Sequence, residues 1–142
     1  MKQILVAVDE HAHAEKIVDS AIQLAGALSA KILLIYVVAD KSVPEEYRDA
    51  HGDALPEHYS ADQFQRTLGP LLKKIEKAGI KYEGISSIGN PEKEILKAAE
   101  SNKVSYIVMG TRGLSGLSRL KGLSSVSRNV IEKSTIPVVA VP

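Results

Sequence analysis

The sequence predicts a single α/β domain: an open, doubly wound, five-stranded parallel sheet with helices on both faces. Three observations lead there. Short apolar runs alternate with amphipathic segments in the order βαβαβαβαβ, and that alternation calls for parallel strands joined by right-handed helical crossovers. The second run, Lys31 to Val38 (KILLIYVV), is continuously apolar after its first residue, as a strand covered on both faces must be. A chain of 142 residues, 44% of them hydrophobic, has the length of one ordinary domain and enough apolar side chains for its core.

Each element has its own signal. Ile4 to Val8 is a short β-branched run that ends at Asp9. Ala14 to Leu28 places Ile17, Ala21, Leu24 and Leu28 on one helical face. Asp40 to Ser60 is polar, contains Pro44 and Pro56, has no clear period and is read as an insert. Ala61 to Ala78 is helical, with Phe64, Leu68, Leu71, Leu72 and Ile75 on one face; Gly69-Pro70 is expected to kink or divide it. Lys81 to Ile88 is less apolar and reads as a strand near a sheet edge. Asn90-Pro91-Glu92 is a helix start, with a capping side chain, Pro at the first position and an acid in the first turn. That helix runs to about Ser101. Val104 to Met109 is a central strand, Ser124 to Lys133 a helix, and Ile136 to Val141 (IPVVAV) the last strand.

Composition narrows the function. Net charge is +1, which argues against a general nucleic-acid binder. Cysteine is absent, so disulfides, thiol catalysis and Cys-based zinc sites are excluded. No apolar run is long enough for a signal peptide or a membrane span. The expectation is a soluble cytoplasmic protein.

Against this neutral background one stretch stands out. Met109 to Arg128 (MGTRGLSGLSRLKGLSSVSR) holds four glycines, six hydroxyl residues and the basic residues Arg112, Arg119, Lys121 and Arg128, with no Asp or Glu. It connects a buried strand to a helix start. Glycine lets backbone approach a ligand closely, and helix N-termini favour anions. The stretch therefore reads as a phosphate cradle. It matches no GxxxxGK[ST] loop, and a dinucleotide fingerprint would follow the first strand, where DEHAHA stands instead. In open α/β sheets ligands bind beyond the strand C-termini, where the strand order reverses. If the first and fourth strands are neighbours there, Asp9 and the cradle face one crevice, with Val37 and Val38 as an apolar wall for a flat ring. Asp9 is the acid that would assist a phosphate-bound Mg²⁺.

Other chemistries fit less well. Asp9-Glu10 suggests a phosphorelay receiver, but Ile88-Gly89 and Ile136-Pro137 stand where its second Asp and its Lys belong. His11 and His13 have no third metal ligand and read as surface residues, with His51 and His58 in the insert. No GxSxG nucleophile elbow exists.

Together these segments resemble the universal stress protein family over essentially the whole chain. The resemblance rests on ILVAVDE, IYVV, GNPEKEILKAA, VSYIVMGTRGLSGL and SSVSRNVIEKSTIPVVAV. It implies the five-stranded α/β fold shared with adenine nucleotide alpha hydrolases, an ATP or AMP ligand, and dimers. It implies that Ala7, Val8 and Asp9 meet adenine and ribose, and that Val37 offers a backbone contact to adenine. It likewise implies that Met109, Gly110 and Gly113, with Arg112 and Gly116, begin the phosphate loop, and that Ser125, Val126 and Ser127 form the phosphate-binding helix start. One departure is visible. The family signature places nine residues between the glycine at 113 and a later glycine. Here ten intervene, and Ser124 stands in that glycine's place.

Three functions follow: a nucleotide-binding stress regulator acting as a homodimer, a ligand-free dimeric interaction module of the same fold, or a slow ATPase. The last ranks lowest because no general base is identifiable. The homodimer is expected to form through the final strand, an apolar edge with no Lys and no covering helix. No membrane or nucleic-acid partner is expected.

Overall fold

A computed structural model of the chain describes residues 1–9, 13–39, 64–111 and 125–142. The elements run β1 (Gln3–Val8), α1 (Ala14–Leu28), β2 (Lys31–Ala39), α2 (Phe64–Lys77), β3 (Tyr82–Gly89), α3 (Pro91–Ser101), β4 (Tyr106–Gly110), α4 (Ser125–Lys133) and β5 (Val138–Val141). The strands form one parallel sheet in the order β3-β2-β1-β4-β5. The α/β fold and the five-stranded sheet are as expected. So are the edge position of β3 and the adjacency of β1 and β4 across the point where the order reverses.

Strand alternation sorts the core into two layers. Ile4, Val6 and Val8 of β1, Leu34 and Tyr36 of β2, and Val108 of β4 face α1 and α2, where they meet Ile17, Val18, Leu68 and Ile75. Leu5 of β1, Leu33 and Ile35 of β2, and Ile107 and Met109 of β4 face α3 and α4, where they meet Ile95, Ala99 and Val130. β1 and β2 therefore bury both faces, which is why their sequences are apolar beyond the first residue of each.

Local chemistry sets the boundaries. The Asn90 side chain accepts a hydrogen bond from the Lys93 N–H at 3.2 Å, and Pro91 occupies the first position of α3. Of the expected kink or division at Gly69-Pro70, the division is not seen, because α2 passes through Pro70 as one helix. Pro70 is exposed, while Leu68, Leu71 and Ile75 on either side of it are buried. Their burial holds both halves of α2 against the sheet and offsets the backbone hydrogen bond that proline cannot make. The last strand begins at Val138 rather than Ile136. Ser134 first turns the chain, its hydroxyl bonding both the N–H and the carbonyl of Ile136. Pro137 has no N–H to give, yet its carbonyl accepts from the Ile107 N–H at 2.9 Å. The polar insert expected over Asp40 to Ser60 lies outside the described residues.

Candidate functional site

The strand registers align the C-terminal ends of the sheet. Ala7 pairs with Ile35 and Val8 with Tyr36, and Val37 pairs with Ser87. Val6 pairs with Val108, so Val8 lies level with Gly110, which pairs with Val141. One residue further, Asp9, Val37 and Thr111 share a level. The reversal point thus brings Ala7, Val8, Asp9, Val37, Met109 and Gly110 to one edge, as the sequence suggests. Their side chains divide between the two faces. Ala7, Val37 and Met109 face α3 and α4, with Met109 buried and the other two half-buried. Val8 is buried on the α1 side. Asp9 is half-buried.

Gly110 is a junction of three elements. A Cβ built there would lie 2.9 Å from His13 Cδ2 and 2.9 Å from Ile17 Cδ1, so α1 packs directly on its α-carbon. Its carbonyl accepts a hydrogen bond from the Ser127 hydroxyl at 2.5 Å, and Ser127 is only 1% exposed. Beside it the Val141 carbonyl accepts from the Thr111 N–H at 2.9 Å and lies 3.2 Å from His13 Nε2. The surface reading of His13 is thereby corrected. Its imidazole is half-buried and spans from the start of α1 to the end of β5. A lone His in a polar run carries no signal for this. Only its place four residues before Ile17, on the helix face that meets Gly110, hints at it.

The start of α4 is held at the same edge. Ser125 is exposed, Val126 is half-buried against the α3 layer, and Ser127 anchors to Gly110. Further along α4, Glu92 of α3 accepts from Asn129 Nδ2 at 2.5 Å and pairs with Lys133 Nζ at 2.9 Å. The Lys133 and Asn129 side chains hold the Glu92 carboxyl below the usual carboxylate range. The helix dipole of α4 is therefore fixed relative to β4 at one end by Ser127 and along its length by Glu92.

Arg112, Gly113, Gly116 and Ser124 lie outside the described residues, as do Glu10, His11, His51 and His58. Among the described residues no group of three His, Cys, Asp or Glu side chains could cage a metal ion. Among the described residues, one cavity of about 170 Å³ is lined by Leu96, Glu100 and Lys133 and another of about 320 Å³ by Met1, Gly26 and Lys81, both away from this edge.

The model of the universal stress protein family matches residues 1–142. The chain belongs to that family. Universal stress protein YxiE of Bacillus subtilis is 33% identical over 147 residues, spanning 98% of this chain and 97% of YxiE. The structure of the Methanocaldococcus jannaschii protein MJ0577 superposes with a TM-score of 0.81 at 29% identity, covering 99% of this chain and 94% of that one. The universal stress protein of Archaeoglobus fulgidus in complex with dAMP has the same fold, with a TM-score of 0.74 at 21% identity over 100% of this chain and 98% of that one. Universal stress proteins are generally non-enzymatic regulators, and membership places this chain among them.

Proposed function

We propose that this chain is a regulatory protein that binds an adenine nucleotide, ATP or AMP, at the C-terminal edge of its sheet and works as a homodimer in a stress response. The observation that carries this reading is the junction at Gly110. There β4 ends beside β1, one level below Asp9. The residues that follow are glycine-rich, basic and without acids as far as Arg128, and they lead into the start of α4. A universal stress protein of this fold holds dAMP, which supports an adenine nucleotide as the ligand. In this reading Ala7, Val8 and Asp9 meet base and ribose, and the Val37 backbone meets adenine. Met109, Gly110, Arg112, Gly113, Gly116 and Ser124 form the phosphate loop. Ser125, Val126 and Ser127 contribute the helix start. The Ser127 hydroxyl is committed to the Gly110 carbonyl, so its role is to hold the loop's first turn against α4. Mg²⁺, which keeps several waters and relies on few carboxylates, would depend on the phosphates and Asp9, since no fuller acidic set is present among the described residues. A cytoplasmic location belongs to the same proposal; no helix among the described residues is long and apolar enough to cross a membrane.

Calorimetry with ATP and AMP, with and without Mg²⁺, tests the reading. Gly113→Val should weaken ATP binding at least tenfold, about 1.4 kcal/mol, by putting side-chain bulk where the phosphates pass. A wild-type chain that binds neither nucleotide would overturn the reading in favour of a ligand-free dimeric module. Ser124, in place of the signature glycine, is the observation that favours that second reading.

A further inference from the structure

β3 carries a hydroxyl with nothing to do. Ser87 Oγ has almost no solvent contact and no hydrogen-bond partner among the described residues. Buried hydroxyls are nearly always bonded, and an orphan one destabilises the fold. A fold keeps such a group where a further partner arrives. Ser87 is the register partner of Val37. By alternation both side chains face α3, on the side where Ala7 and Ile85 are half-buried. The next residue on that face is Gly89. A Cβ there would lie 2.7 Å from Glu94 Oε1, so Glu94 of α3 reaches down over Gly89. Glu94 is half-buried, and among the described residues its carboxylate makes no hydrogen bond or ion pair. The β2–β3 end of the crevice thus has an apolar floor from Ala7, Val37 and Ile85, closed by a hydroxyl and a carboxylate that both lack partners.

The geometry points to Ser87 and Glu94 as the groups that read the edge of the base, selecting a purine with an exocyclic amino group. This rests on the adenine-nucleotide reading above and deepens it. An ionised carboxylate only accepts hydrogen bonds, and a serine hydroxyl both accepts and donates. Together they suit an N–H₂ group beside a ring nitrogen, and the carboxylate opposes a carbonyl oxygen in the same place. Ser87 keeps part of its surface open. One step between staggered χ1 rotamers re-aims its oxygen. Sites built to bond a polar group reject the analogue that lacks it, because their own groups are then left unpaired.

The test compares ATP with purine riboside 5′-triphosphate, which lacks only the amino group, by calorimetry on the wild type, Ser87→Ala and Glu94→Ala. The wild type should prefer ATP about tenfold, about 1.4 kcal/mol. Each variant should lose most of that preference while keeping its affinity for the analogue. Thermal unfolding of Ser87→Ala without nucleotide supplies the readout that a merely structural role would not give. Removing an orphan hydroxyl should leave stability unchanged or raised even as ATP binding falls. Equal wild-type affinity for the two nucleotides overturns the inference and leaves the nucleotide site standing. So does a Ser87→Ala chain with an unaltered preference. A wild type that binds neither overturns both.

Discussion

At the scale of single residues, the glycine and hydroxyl positions of the fourth crossover carry two demands at once. Gly110 reads in the sequence as a residue kept small for a ligand. The structure adds a second reason, since His13 and Ile17 occupy the space a Cβ would take. A Gly110 variant is therefore a poor probe of binding, because it strains the α1 contact. Ser127 was legible as a polar residue at a helix start. That its hydroxyl turns inward to the Gly110 carbonyl was not, because side-chain direction at a helix N-terminus depends on where the preceding strand ends. Ser127→Ala should destabilise the fold by about 1–2 kcal/mol through the unpaired buried carbonyl. Urea unfolding measures this, and a midpoint equal to the wild type's would show that the Gly110 carbonyl finds another donor. Ser87 and Glu94 escaped the sequence altogether. A serine in a weakly apolar edge strand and a glutamate in a helix's first turn both look like solvated positions.

At the scale of elements, strand order and helix order were legible because period and apolar content differ so sharply between them. The exceptions have local causes. Pro70 leaves α2 whole because its neighbours are buried, a tertiary effect invisible to propensity. The pairing of α3 with α4 through Glu92 also lies beyond a sequence reading, since its partners are remote in the chain. Its carboxyl sits below the usual range in the folded state. The stability it contributes is therefore full above the ordinary carboxylate pKa and is lost as the pH falls through the lowered folded value. Glu92→Gln should lower the neutral plateau of a plot of Tm against pH and flatten its acid limb, the two chains converging at low pH. An acid limb identical to the wild type's would remove Glu92 from the account. β5 allows an equally specific test. Ile107 donates to Pro137 and Thr111 to Val141, so the odd residues of β5 turn their backbone groups toward β4. Val138 and Ala140 turn theirs outward. Ala140 is exposed, and Ala140→Pro deletes an outward N–H without touching the β4 ladder. If the proposed homodimer forms through this edge, the variant should sediment as a folded monomer where the wild type is a dimer. A dimer that survives the substitution would place the interface elsewhere.

At the scale of the whole molecule, the near-neutral chain concentrates an acid-free basic stretch in a single crossover, and the family match runs over 1–142. The fold class and the order of its strands were legible in the sequence. The crevice was legible as a set of strand ends, but not as a joint. The Val141 carbonyl, near the end of the proposed pairing strand, meets both Thr111 and His13. Thr111 follows Gly110, and His13 lies upon it. A partner strand drawn against β5 and a phosphate drawn against Gly110 would pull on the two ends of one short lever. Thermodynamic reciprocity then requires that any factor by which assembly tightens nucleotide binding is returned, undiminished, by nucleotide to assembly. The Ala140→Pro monomer is the material in which that factor can be read, as the ratio of its ATP affinity to that of the paired chain.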